Sequence, residues 1–165
     1  MLVARALRPA TRRLRCLSYL ASIDQGTSSS RVILYDAESL TPVASHQVEL
    51  QSATTTPEPG WSQMDPAKIL SSVDEAAQGA LQKANASAKD VVGVGITNQR
   101  ESTVCWDSNT GDALYDCILW HDARTRDVSQ ALQEKLGGID ALRGVTGLPI
   151  STYFSGVKLK WLLDE

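Results

Sequence analysis

Residues 20–50 read LASIDQGTSSSRVILYDAESLTPVASHQVEL, and this stretch decides the fold. The apolar run at residues 20–23 stops at Asp24-Gln25-Gly26, a turn signal. RVILY at 31–35 is apolar and β-branched, and PVASHQVEL at 42–50 alternates as a strand does. The turns at 26–30 and 36–41 are short, so the three pieces predict an antiparallel meander.

Downstream, TTTPEPGW at 54–61 reads as a loop, with two prolines and a glycine. A helix is expected from Asp65 as N-cap, with Pro66 at the first helical position. Ile69, Val73, Ala76, Ala77, Ala80, Leu81 and Ala84 share one face of it, and it fades at Asn85. VVGVGIT at 91–97 is a nearly continuous apolar run, which predicts a strand buried on both faces. Further strands are expected at 103–106 and 114–120, joined by a hairpin-type turn at 107–111. Helical pattern returns at 123–136 and 139–143, a loop follows at 146–149, and Ser155 is placed to cap a last helix. That helix reaches Glu165 with no terminating signal.

Three antiparallel strands, a helix, a buried strand and more helices are the order of a ribonuclease-H-like α/β fold. Actin-like ATPases and sugar kinases are built on it. The last strand of such a domain is missing from the pattern, so the domain is expected to be incomplete at its C-terminal end. The expected organisation is residues 1–19 as a separate leader and 20–165 as the first domain of such a fold.

Charge separates the leader from the body. The first twenty residues carry five arginines and no acid, although the whole chain has a net charge of −3. The remainder is therefore acidic, which argues against nucleic acid or an anionic membrane as the main partner. A basic, acid-free N-terminus interspersed with leucines matches a mitochondrial transit peptide; a cytoplasmic protein with an untargeted basic extension is the alternative. No stretch approaches transmembrane length. Cys16, Cys105 and Cys117 are odd in number and lack CxxC spacing, which favours free thiols over a disulfide or zinc site. Asn85-Ala86-Ser87 reads as a turn, and Trp61 and Trp106 as packing residues.

Four segments carry possible chemistry. DQGTSSSR at 24–31 offers a glycine, several hydroxyls and an acid at a strand end, which suits an anion and a hydrated magnesium ion. A Ser/Thr-rich hairpin turn would satisfy the same pattern. Gly93-Val94-Gly95 lacks the third glycine of a dinucleotide site, so close strand packing is the better reading. GITNQRE at 95–101 delivers Arg100 and Glu101 to the C-terminal end of a strand, where ligands bind in α/β folds; a surface ion pair is the alternative. Trp120 precedes His121, Asp122 and Arg124, and its aromatic face suits the carbon side of a polyol; on these residues alone a core tryptophan beside a helix-starting Asp122 is the better reading. Tyr153, in YFSG, could add a phenol to the same pocket, or staple the helix that follows.

Together, DQGTSSSR, PGWSQMDP, GITNQRE, WD…TG, WHDART, TGLPIS and YFSGVKLKWLL closely resemble the glycerol kinases of the FGGY carbohydrate kinase family. They stand in that family's order and spacing from residue 21 to 165. The GITNQRE segment separates these enzymes from relatives acting on xylulose, ribulose or gluconate. The resemblance implies ATP-dependent phosphorylation of glycerol to sn-glycerol 3-phosphate, with ATP and Mg²⁺ as cofactors and homo-oligomers as the full-length form. It implies that Asp24 positions Mg²⁺ through water and that Thr27, Ser28 and Ser29 contact ATP phosphates, with Arg31 closing the loop. It also implies that Arg100, Glu101, Trp120 and Tyr153 bind glycerol. The family's aspartate base lies downstream of the matching region, so no catalytic base is assigned. This chain alone is then expected to be inactive; the alternative is a non-catalytic module that binds glycerol weakly or engages a partner.

Overall fold

The computed structural model describes residues 18–164. The arginine-rich leader up to residue 17, with Cys16, lies outside the described residues. Strand β1 (Tyr19–Gln25) begins at the last residue of the stretch read as a leader, and Tyr19 is buried in the core.

The expected meander forms. β1, β2 (Ser29–Asp36) and β3 (Pro42–Glu49) pair antiparallel, with Ser22 opposite Ile33 and Ile33 opposite Ser45. The β2–β3 turn is held by Asp36 Oδ1, which accepts from the backbone N–H groups of Glu38 (3.1 Å) and Ser39 (2.8 Å). Two short strands follow, β4 (Thr54–Thr55) and β5 (Gln63–Met64). Helix α1 (Pro66–Lys83) then starts where the sequence places it: Asp65 accepts from Ala67 N–H at 2.8 Å, and Pro66 occupies the first turn. β6 (Val91–Asn98) lies parallel to β1, giving the sheet order β3-β2-β1-β6.

Alternation explains the core. Val32 and Leu34 of β2 turn the same way as Tyr19, Ala21 and Ile23 of β1, and all pack under Ala76 and Ala80 of α1. The small side chains let the helix approach closely. At Gly79 an added Cβ would lie 2.5 Å from the His46 ring, so only glycine fits between α1 and β3. One polar pair sits in this layer, the hydroxyls of Ser30 and Ser72 at 2.7 Å.

β6 departs from expectation. Its strand exists, but it is not buried on both faces: Val92, Val94 and Ile96 are 64%, 57% and 72% exposed. Ile96 is in register with Ile23, so it faces the helix side, yet α1 lies across β1–β3 and does not reach it. Among the described residues no strand pairs with the outer edge of β6. Of the two glycines in this strand, only Gly93 is closely packed, with Leu20 at 3.1 Å from its would-be Cβ; Gly95 has open space.

The strands expected at 103–106 and 114–120 shrink to β7 (Cys117–Ile118) and two isolated bridges, Thr103–Ile118 and Trp106–Ala113. The turn between them forms, with Asp107 Oδ1 accepting from Asn109 N–H at 2.7 Å, but too few rungs follow to make regular strands. Trp106 is 62% exposed there and does not pack as expected. β4, β5 and β7 form a small second sheet over Leu50, Met64, Cys117 and Leu119. Burial of Cys117 pushes its thiol up to about 11.

Helix α2 (Arg126–Leu136) starts three residues later than its periodicity suggests, because residues 119–126 first make consecutive turns. The helix expected at 139–143 is displaced to a single turn, α3 (Arg143–Thr146), closed by Gly147 with φ of 75°. Helix α4 (Ser155–Asp164) stands where expected, and Asn85 is a left-handed turn residue, with φ of 49°.

Candidate functional site

β1 and β6 are parallel, so their C-terminal ends open at the same end of the sheet. A cleft of about 330 Å³ lies there, lined by Gly26, Thr27, Asn98, Gln99, Arg100, Trp120 and Tyr153. Its wall is a hydrogen-bond network around the buried Gln99. Gln99 Nε2 donates to Gln25 Oε1 at 3.1 Å, and its Oε1 accepts from Ser102 Oγ at 2.8 Å and Thr27 Oγ1 at 3.3 Å. Ser102 Oγ in turn accepts from the backbone of Trp120 at 3.1 Å, and the Trp120 indole N–H donates to Thr27 Oγ1 at 3.1 Å. Trp120 is thereby held at its backbone and at its indole nitrogen, while it stays 40% exposed. Tyr153 meets it edge-on, with ring centroids 6.0 Å apart.

The residues singled out from the sequence separate into three groups. Thr27, Arg100, Trp120 and Tyr153 line the cleft. Glu101 adjoins it, but its side chain turns to border a second, apolar cavity of about 340 Å³ that includes Leu132, Leu148 and Phe154. Its backbone is left-handed, with φ of 64°, a costly conformation for a residue with a Cβ. That turn lets Glu101 Oε2 accept from both Ser155 N–H (2.8 Å) and Ser155 Oγ (2.7 Å) at the first turn of α4. The carboxyl is held below the usual carboxylate range by the Ser155 hydroxyl first; the Ser155 N–H and the charges of Lys158 and Arg100 add to this, against burial.

Asp24, Ser28, Ser29 and Arg31 form the third group, at the β1–β2 turn outside the cleft lining. Ser28 and Ser29 accept backbone hydrogen bonds from Leu50 (2.7 Å) and Gly26 (2.9 Å). The Arg31 Nε donates to Gln47 Oε1 at 2.7 Å, across the sheet on β3. Asp24 is exposed opposite Arg31 and next to Thr97. Among the described residues no three His, Cys, Asp or Glu side chains converge on a metal position. A lone exposed carboxylate still fits magnesium, which keeps most of its waters and takes its other oxygens from phosphates.

Sequence reasoning missed two elements. Gln25 and Gln99 build the wall; the only signal was a polar run, Asn98-Gln99, directly after an apolar strand. The second is a buried clamp beside the cleft. Arg124 pairs with Asp122 at 2.9 Å, and both side chains are 0% exposed. The guanidinium also donates to Gln63 Oε1 (2.8 Å) and Tyr115 OH (3.2 Å) and lies 4.0 Å from the Trp61 ring. Trp61 thus packs, as expected, but on a cation.

Residues 19–165 match the family model described as "FGGY family of carbohydrate kinases, N-terminal domain". The chain is 48% identical over 147 residues to a glycerol kinase of Brucella anthropi, covering 89% of this chain and 29% of that protein. It is 43% identical to glycerol kinase 2 of Thermotoga maritima, over 90% of this chain and 29% of the relative. The crystal structure of Plasmodium falciparum glycerol kinase with ADP superposes with a TM-score of 0.78 at 30% identity, over 90% of this chain and 29% of that one. A xylulose kinase of Lactobacillus acidophilus superposes at 0.77 over 90% of this chain and 29% of its own, with 23% identity, a likeness of fold. The fold is that of the actin-like ATPases and sugar kinases, as the order of elements predicts. The chain spans about 29% of the length of the curated relatives it matches.

Proposed function

Given that the chain belongs to the FGGY family of carbohydrate kinases, we propose that it supplies the polyol wall and phosphate-facing turn of a glycerol kinase. The reaction is ATP-dependent conversion of glycerol to sn-glycerol 3-phosphate. The observation that carries this reading is the convergence of Arg100, Trp120 and Tyr153 on one cleft next to the Gly26–Thr27 turn.

Each side chain has a part to play. Trp120 and Tyr153 present apolar ring surface to the carbon chain of glycerol. Arg100 makes no hydrogen bond or ion pair among the described residues, so its donors are available for hydroxyls. Glu101 beside it is an ionised acceptor. These contacts orient a terminal hydroxyl toward the β1–β2 turn, where exposed hydroxyls and backbone N–H groups face the phosphates. Asp24 would hold magnesium through water, and the ion supplies charge neutralisation on the transferring phosphate.

Glu101 is a poor base, because its carboxyl is held below the usual carboxylate range, and among the described residues no carboxylate is part of the cleft lining. The base that takes the hydroxyl proton is therefore assigned to a segment beyond residues 19–165. The 165-residue chain alone should show no ATP-dependent glycerol phosphorylation. A chimaera tests the reading: residues 19–165 replace the matching segment of the Brucella anthropi enzyme. Retained phosphorylation, with glycerol preferred over xylulose, is the expected result. A folded chimaera that prefers xylulose, or phosphorylates neither, would overturn the assignment.

A further inference from the structure

Helix α4 opens with two contacts that run back to the cleft in opposite directions. Ser155, at its start, takes Glu101 Oε2 through both its N–H and its hydroxyl. Lys158, about one turn on, sends its ammonium back to the carbonyl of Tyr153. Glu101, which adjoins the cleft, and Tyr153, which lines it, stand 52 positions apart in the sequence and are thereby tied to a single turn of helix. We propose that Ser155 and Lys158 form a bracket that sets Glu101 and Tyr153 against each other, with Lys158 a positioning residue that does not touch the polyol. The inference rests on the glycerol reading for what the bracket serves, but the bracket itself is observable without glycerol.

Burial argues that Lys158 is there for a purpose. Its side chain is 0% exposed, an unfavourable place for an ammonium unless charge and hydrogen bonds compensate. Burial lowers its pKa, and the negative groups Glu101 and Asp122, with Cys117, oppose that shift. Apolar packing alone would be met by leucine or methionine at this position. An ammonium adds a donor for the Tyr153 carbonyl and a positive charge facing Glu101; Arg100 supplies the other positive charge that Glu101 feels. With Oε2 held by Ser155, the remaining oxygen, Oε1, makes no hydrogen bond among the described residues and is the acceptor left for a hydroxyl.

The test compares the parent chain with Lys158→Met, which keeps the bulk, and Lys158→Arg, which keeps the charge. Carboxyl-carbon NMR follows the Glu101 midpoint, and indole N–H resonances follow Trp120, against which Tyr153 packs. In the glycerol-free chain, Lys158→Met should raise the Glu101 midpoint and shift the Trp120 indole, and Lys158→Arg should restore the midpoint. Glycerol affinity should fall about tenfold in Lys158→Met, in line with loss of one charge-assisted contact. If Lys158→Met folds and leaves both glycerol-free signals unchanged, the bracket is overturned. If the parent shows no glycerol response while the glycerol-free signals move, the bracket stands and the glycerol reading fails. Should Lys158→Met not fold, Ser155→Ala cuts the same bracket from its other end; an unchanged Glu101 midpoint there also overturns it.

Discussion

Two arginine–carboxylate pairs sit near the same cleft and behave oppositely. Asp122 and Arg124 are wholly buried and spend their hydrogen bonds on each other, on Ser62 and Gln63, and on Tyr115. Arg100 and Glu101 are adjacent in sequence yet do not pair: Arg100 stays exposed at the cleft, and Glu101 turns away to Ser155. The first pair is buried with nearly all of its hydrogen-bonding groups already partnered. The second keeps donors on Arg100 and one free carboxylate oxygen on Glu101. Spare hydrogen-bonding capacity, not charge, separates the site from the scaffold.

The largest expected effect is on the clamp. Arg124→Ala leaves Asp122 buried without its cation and should lower stability by about 3–5 kcal/mol in urea unfolding. A loss below about 1 kcal/mol would break the contrast, because it would mean the clamp is not holding the fold. Glu101→Gln should act the other way round: a stability loss of at most about 1.5 kcal/mol in the same measurement, with glycerol binding reduced below detection. The pH dependence has a definite sign. The folded pKa of Glu101 is lowered, so its contribution to stability is present above the unfolded value near 4.5 and is lost as pH falls through the folded one. The acid limb of the stability curve should therefore be shallower in Glu101→Gln than in the parent. The smallest effect is expected at Trp106, 62% exposed and apart from both pairs. Trp106→Ala should stay within about 0.5 kcal/mol of the parent.

The meander and α1 were legible because their signals are local: alternation over 42–49, and Asp65-Pro66 at a helix start. The existence of β6 was equally legible. Its burial was not, because an apolar run says what a strand can pack against and not what reaches it. The strands around the 107–111 turn were overread, since the turn chemistry is local but the rungs that sustain a strand come from partners elsewhere. At the cleft, residue types and the strand end pointed to Arg100, Trp120 and Tyr153, which the fold brings together. The left-handed turn at Glu101 and its link to Ser155, 54 residues on, have no local signature. Nor does the spacing of Asp122 and Arg124 disclose that Gln63, about 60 residues earlier, completes their shell.

The contrast between the pairs can be read in one titration. Trp120 belongs to the cleft, whereas Trp61 and Trp161 surround Arg124 in the clamp. Glycerol added to the isotopically labelled chain should shift the Trp120 indole resonance saturably and leave those of Trp61 and Trp161 in place. A saturable shift at Trp61 and Trp161 with Trp120 unmoved would contradict the account, because it would put the ligand at the clamp and leave the cleft as scaffold.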